Sequence, residues 1–319
     1  MFHADLVYNP VSGRTSSLAI VQFAAEEFRA HGWKINLIPS VSAEHISQLA
    51  RSAVQAGRDA LIIAGGDGSV MRAATGLANS ETALAVLPTG TANVWAKEIG
   101  LPGIKRGNQK TIQQVISKIT NGRVQAVDIG QCNGQPFLLW AGIGLDGIIV
   151  RELEGRRRTP RRFAELRYMA NILRNALFWQ GVPLSLQVDN KIYAGTYVIA
   201  LVSNIRAYAG GYVEFSPHAC LDDGKMDLWL FEGNSRQASL KYAVGVFFGL
   251  HKKSKHVQHI PFKELTLEAI APLAAQIDGE PLTMVNPVHI TVLSKRLNVL
   301  VPQNTAPSLF QSPPIRVLI

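Results

Sequence analysis

Ala60-Leu61-Ile62-Ile63-Ala64-Gly65-Gly66-Asp67-Gly68-Ser69 is a short apolar run closed by glycines around one carboxylate. Such a run with a glycine boundary predicts a buried strand at Ala60 to Ala64, with a helix opening from about Ser69. The same cycle recurs on both sides. Leu6 to Tyr8 precedes an apolar stripe at helical spacing, Leu18, Val21, Ala25 and Phe28, which Gly32 can end. Lys34 to Ile38 precedes Ile46, Leu49 and Ala53 on one helical face, and Ala83 to Leu87 precedes a helix predicted from about Asn93. A further helix carries Ile112, Val115, Ile116 and Ile119 and stops at Asn121-Gly122. Strands alternating with helices over residues 1–127 predict a parallel sheet covered by helices.

Three of the strand-to-helix junctions are rich in glycine and small polar residues: Asn9-Pro10-Val11-Ser12-Gly13, Gly65 to Ser69, and Gly90-Thr91-Ala92-Asn93. In an open parallel sheet such turns collect at the carboxyl edge, where helix N-termini offer N–H groups to an anion. Glycine lets a phosphate approach the backbone, and Ser, Thr or Asn supplies caps and donors. This pattern predicts a nucleotide-phosphate site formed by Asn9, Ser12, Gly13, Gly65, Gly66, Gly68, Ser69, Gly90, Thr91 and Asn93. Neither G-x-x-x-x-G-K-[ST] nor G-x-G-x-x-G occurs at these turns, so neither a P-loop NTPase nor a standard dinucleotide binder is indicated.

From Asp128 onward the texture changes to strands and sharp turns. Phe137 to Gly142, Pro183 to Val188, Tyr193 to Ser203, Met226 to Phe231 and Val288 to Val292 read as strands, with turn dipeptides at Asp189-Asn190, Asp223-Gly224 and Asp278-Gly279. Helical inserts are predicted near Arg161 to Trp179 and Ser235 to Leu250. The fold class is therefore α/β, an N-terminal parallel-sheet domain followed by a mostly antiparallel, sandwich-like β-rich domain. The boundaries are 1–127 and 128–301, and the tail 302–319 ends in a possible strand that could return to the first domain.

The 319 residues give room for about two domains. A hydrophobic fraction of 47% with 17% charged residues excludes a disordered chain. No apolar run approaches the roughly 18 residues of a spanning helix, and the N-terminus shows no signal-peptide pattern, so a cytoplasmic protein is expected. Cys132 and Cys220 lack C-x-x-C spacing and read as buried packing residues. Thirty-two Lys and Arg against 23 Asp and Glu leave a charge of +9, which favours polyanionic partners. Arg156, Arg157, Arg158, Arg161, Arg162 and Arg167 surround a helix pattern ending in Phe178-Trp179, and His251, Lys252, Lys253, Lys255 and His256 follow another, so peripheral contact with an anionic membrane is expected. Nucleic acid is not, since no binding motif accompanies the charge. A homodimer stays open.

Taken in order, Asn9-Pro10-x-Ser12-Gly13, Gly65-Gly66-Asp67-Gly68-Ser69, Gly90-Thr91-Ala92-Asn93, Val127-Asp128-Ile129-Gly130, Gly210-Gly211 with Pro217, Asp223-Gly224 and Asp278-Gly279-Glu280 resemble the diacylglycerol kinase catalytic-domain family, which includes sphingosine, ceramide and bacterial lipid kinases. The resemblance covers nearly the whole chain. It implies that the first domain binds ATP, the β-rich domain receives a lipid alcohol, and the γ-phosphoryl group passes to its hydroxyl. It further implies Mg²⁺ near Asp67 and Asp128, a second metal position at Asp223, and Glu280 as the base for the acceptor hydroxyl, with Asp67 as the alternative base. Spacing alone reads Asp278-Gly279-Glu280 as a hairpin turn, while the plain alternatives for Asp128 and Asp223 are a turn-capping residue and an Asp-Gly turn. Met71-Arg72 and Val94 stand where family members often have Asn-Glu and Asp. Two other readings remain: a soluble-substrate kinase of the NAD kinase type, and a non-catalytic lipid-binding or regulatory protein on the same fold.

Overall fold

The computed structural model describes residues 1–10, 17–104, 108–154 and 164–318. The chain divides into two compact units, Met1–Ile129 with Cys220–Asp223 and Ser294–Ile319, and Gly130–Ala219 with Gly224–Leu293. Three segments that the sequence reading places in the β-rich half, Asp128 with Ile129, Cys220–Asp223 and 294–301, thus lie in the first unit.

The first unit alternates β1 (Phe2–Tyr8), α1 (Ser17–Ala30), β2 (Trp33–Pro39), α2 (Ala43–Gln55), β3 (Ala60–Gly65), α3 (Asp67–Leu77), β4 (Ala83–Pro88), α4 (Val94–Glu98) and α5 (Gln109–Thr120) before β5 (Arg123–Cys132). β1 pairs in parallel with β2 and β3, and β3 with β4. Strands β3 and β4 are buried almost throughout, which is why they read as unbroken apolar runs rather than alternating ones. Each helix turns one stripe inward. In α2, Ile46, Ala50 and Ala53 are buried one turn apart, and Ser42 caps the helix by accepting from the His45 N–H at 3.1 Å.

The second unit carries β6 (Gln135–Phe137), β7 (Trp140–Gly144), α6 (Leu145–Glu154), α7 (Ala164–Phe178), β8 (Val182–Val188), β9 (Lys191–Ser203), β10 (Ala207–Tyr208), β11 (Val213–Glu214), β12 (Met226–Glu232), α8 (Arg236–Phe247), β13 (Val257–Phe262), β14 (Glu264–Ala269), β15 (Leu273–Ile277), β16 (Glu280–Val285) and the start of β17 (Val288–Val301). All pairings inside it are antiparallel, in the order β16-β15-β7-β9-β8-β14-β17, with β12 bridging β9 and β13. Its core packs Phe137, Leu186, Val202, Leu228, Phe262 and Ile290. Burial alternates along β8 and β14, the pattern of a strand with one covered face, whereas β7, β12 and β15 are buried on both faces.

The end of β17 returns to the first unit, where Val299 pairs in parallel with Leu84 of β4. The tail follows it. β18 (Arg316–Val317) pairs antiparallel with Arg123 and Val124 of β5. Asp222 holds this tail, its two carboxylate oxygens accepting from the Gln311 N–H at 2.6 Å and the Ser312 N–H at 2.9 Å. Burial acts to raise the Asp222 carboxyl, but these backbone donors outweigh it and hold the group below its ordinary value.

Both cysteines are buried, and burial pushes each thiol up to about 11, so neither is a reactive thiolate at neutral pH. His251 is turned inward as well. It is buried, its ring stacks on Phe215 with centroids 4.7 Å apart, and burial lowers its pKa, so it adds no charge to the lysines that follow it.

Candidate active site

The parallel order β2-β1-β3-β4 puts the turns after β1, β3 and β4 at one edge of the sheet, on both sides of the point where the strand order reverses. Asn9 directly follows Tyr8, which is in register with Ala64, so the first turn starts beside the second. Ser12 and Gly13 lie outside the described residues. The second and third turns are tied to each other, because the Thr89 and Gly90 N–H groups both donate to the Gly65 carbonyl at 3.2 Å. A Cβ on Gly90 would fall 2.4 Å from Gly66 Cα and 2.9 Å from Gly66 N, so two backbones meet where no side chain fits. Gly90→Ala is therefore expected to lower stability by about 1–3 kcal/mol, read by thermal or denaturant unfolding. An unshifted unfolding curve would contradict this close approach.

Helix α3 begins at Asp67 with Gly66 as its cap, and Gly66 brings no side-chain acceptor to the first-turn N–H groups. Those donors and the positive end of the helix dipole suit a phosphate. Asp67 is half-buried, and its Oδ1 accepts from the Trp95 N–H at 2.9 Å, which fixes the carboxylate against the start of α4. Asn93 is held in the left-handed conformation at φ 50°, donating from Nδ2 to the carbonyls of Pro88 at 3.2 Å and Gly90 at 3.0 Å. Its Oδ1 is buried without a hydrogen-bond partner among the described residues. Because Oδ1 is an acceptor, a water, a hydroxyl or a hydrated cation completes it, and a bare phosphate oxygen does not.

The two other predicted metal positions are built differently. Asp128 lies inside β5 rather than at a strand end, fully buried, with its Oδ1 accepting from the Lys295 N–H at 2.7 Å where Lys295 takes φ 53°. Asp223 is half-buried before Gly224, which takes φ 73°, and its neighbour Asp222 makes the bonds to the tail. Among the described residues no three His, Cys, Asp or Glu side chains group as a metal cluster.

In the second unit Asp278-Gly279 forms the two-residue loop between β15 and β16, with φ of 48° and 80° and Ile277 paired to Glu280. Two left-handed residues are what a tight hairpin loop of this length requires. Asp278 does more than turn the chain. Its carboxylate accepts from the backbone N–H groups of Leu138, Leu139 and Trp140 at 2.7, 2.8 and 2.9 Å. Glu280, the first residue of β16, is half-buried. The spacing of the sequence indicated the loop but not this grip, since its three donors lie about 140 residues earlier.

Residues 3–132 match the diacylglycerol kinase catalytic domain, and residues 141–301 match the YegS C-terminal NAD kinase beta sandwich-like domain. The chain belongs to the diacylglycerol kinase catalytic-domain family. Members of this family named as diacylglycerol kinases include one from Bacillus subtilis, 24% identical across 97% of this chain and 99% of its own length. Another from Mycobacterium tuberculosis is 27% identical across 93% and 94%. A relative from Shewanella frigidimarina, named "Probable lipid kinase YegS-like", is 24% identical across 97% of both chains. A crystal structure from Bacillus anthracis str. Sterne shares the fold with a TM-score of 0.78 at 22% identity, covering 95% of this chain and 98% of that one. Family membership supports a lipid kinase, and the fold is the one expected from the alternation of the first half and the turns of the second.

Proposed function

We propose that this protein transfers the γ-phosphoryl group of ATP to a hydroxyl of diacylglycerol or a related lipid alcohol. The observation that carries this reading is the meeting of the Gly65–Ser69 and Gly90–Asn93 turns at the open N-terminus of α3, with Asp67 fixed beside them. The α3 donors bind phosphate oxygens, and the glycines let them come close. Asp67 and the orphaned Asn93 Oδ1 fit Mg²⁺, which takes one or two protein oxygens together with water and phosphate. Bound with ATP, that ion would neutralise charge on the phosphates. Glu280 is the base that takes the proton of the acceptor hydroxyl, held in place by a hairpin whose loop is pinned by Asp278.

A cavity of about 690 Å³ in the second unit supports a lipid acceptor. Ile148, Trp179, Val182, Leu273 and Met284 line it, mostly apolar groups suited to hydrocarbon. Met284 lies four residues along β16 from Glu280, about 13 Å at strand rise. A second reading, a soluble-substrate kinase acting on NAD, is favoured by the match of residues 141–301 to an NAD kinase-like sandwich. Labelled ATP offered with a panel of lipid alcohols and NAD separates the two. Label on a lipid is the expected result; label on NAD alone contradicts it.

Peripheral contact with an anionic membrane belongs to the same proposal. Arg156, Arg157, Arg158, Arg161 and Arg162 lie outside the described residues, as does the side chain of Arg167 in α7. Among the described ones, Phe248 is 74% and Leu250 60% exposed, and the exposed Lys253 and Lys255 follow. Lys252 instead pairs with Glu214 at 2.8 Å. Replacing Phe248 and Leu250 together by Ser is expected to weaken binding to anionic vesicles about tenfold or more, from lost apolar burial, in a co-sedimentation assay. Unchanged sedimentation would remove this face from the membrane contact.

A further inference from the structure

The first turn of α6 places a carboxylate where a fold would ordinarily put an apolar group. Asp146 is 3% exposed and lies over β7 and β15, where Gly142 is directly opposite Gln276. Room is made for it. A Cβ on Gly142 would fall 1.8 Å from Asp146 Oδ2, and one on Gly147 would fall 2.4 Å from the Ala274 carbonyl oxygen. Burying a carboxylate is unfavourable unless its oxygens are satisfied, and here they are. Oδ1 accepts from the Tyr208 hydroxyl and Oδ2 from Gln276 Nε2 at 2.7 Å.

The chain of bonds continues to the hairpin loop. Gln276 is 2% exposed, and with its amide nitrogen committed to Asp146, its Oε1 accepts from the Gly279 N–H at 2.8 Å. Asp278 is held on the other side by the N–H groups of Leu138 to Trp140, and Trp140 meets the Tyr208 ring edge-on with centroids 5.5 Å apart. Both loop residues are therefore fixed by groups that converge on Asp146 and β7. The next residue is Glu280.

We propose that Asp146, acting through Gln276 and Gly279 and braced by Tyr208, is a positioning residue that sets the orientation of the Glu280 turn. This rests on the reading of Glu280 as the base for the acceptor hydroxyl. Asp146 sets which way round the Gln276 amide sits. With a carboxylate below it, Nε2 faces Asp146 and Oε1 faces Gly279. An amide at 146 keeps the Gln276 bond only by turning its own oxygen to Nε2, which leaves its amine facing the Tyr208 hydroxyl and undoes the brace; a carboxylate at 276 instead sets two carboxylates against each other across the bond that Gln276 makes to Asp146.

The test is a reciprocal exchange. Gln276→Glu sets a carboxylate against Asp146 and is expected to lower kcat about 10- to 100-fold, the scale of a misplacement of about 1 Å at a catalytic group, while KM for ATP stays within about twofold. Adding Asp146→Asn restores every bond, because the carboxylate at 276 accepts both from the introduced amide and from Gly279, and the amide oxygen accepts from Tyr208. The pair should recover kcat to within about threefold of wild type. In a Glu280→Gln background, Gln276→Glu should cost nothing further, which a general loss of packing would not reproduce. If Gln276→Glu does not fold, the reciprocal pair and Tyr208→Phe carry the test, the latter with a fall of about threefold to tenfold. A folded Gln276→Glu at wild-type kcat, a folded reciprocal pair as slow as Gln276→Glu, or Tyr208→Phe at full rate would overturn the positioning role while leaving Glu280 as base. Wild-type turnover by Glu280→Gln, or no lipid phosphorylation by the wild type, would instead remove the reading on which it rests, and this proposal with it.

Discussion

Glu280→Gln is expected to lower kcat by about 10²- to 10⁴-fold, with nucleotide affinity within about twofold of wild type. The substitution keeps size and removes only the basic carboxylate. Glu280 opens β16 opposite Ile277, and the loop before it is held by Asp278 and Gly279. The exchange keeps the shape of the side chain and an acceptor oxygen, so stability should change by no more than about 1 kcal/mol. Rate measurements with saturating ATP and a lipid acceptor, beside a nucleotide titration, check both halves. A variant with normal turnover would return this turn to the plain hairpin that its spacing suggests.

Asp67→Asn is the second large effect, a fall in phosphoryl transfer of about 10²-fold or more at unchanged fold. The fold survives because the bond that Asp67 makes is an accepted one. Its Oδ1 receives the Trp95 N–H, and the carbonyl oxygen of an introduced amide can receive it as well. What disappears is the negative charge beside the α3 N-terminus, where Mg²⁺ is proposed to sit. Circular dichroism should be unchanged while the rate collapses. If Asp67→Asn is inactive and Glu280→Gln is normal, the base is Asp67; if Asp67→Asn keeps near-normal turnover in a folded protein, the phosphate side of the site lies elsewhere.

The first half of the fold is written in local chemistry and could be read there. β3 and β4 are apolar because both faces are covered, and each ends in glycines that bring Gly66 and Gly90 into backbone contact. The helix predicted from about Asn93 is shorter than its pattern, five residues from Val94 to Glu98, because Gly100 takes φ 85° and Pro102 follows.

The signals that build the second half are long-range. Phe137 to Gly142 reads as one strand but is broken, since the N–H groups of Leu138 to Trp140 turn to the Asp278 carboxylate instead of a neighbouring strand. Past Gly142, α6 starts at Leu145, and Gly147 gives room to the Ala274 carbonyl, a contact that no local window contains. At Asp222-Asp223 the Asp-Gly dipeptide drew attention to Asp223, while Asp222 binds the tail 89 and 90 residues away. The Val94 departure is visible in both views: it is a buried apolar residue at the start of α4, beside the orphaned acceptor of Asn93.

The most direct measurement is single-turnover transfer of label from γ-labelled ATP by the wild type and Glu280→Gln, with diacylglycerol in mixed micelles and nucleotide binding measured on both proteins. The expected result is label in the lipid product for the wild type, almost none for Glu280→Gln, and nucleotide bound equally by each. Label that stays on ATP or appears only as inorganic phosphate with the wild type, despite bound nucleotide, would contradict it.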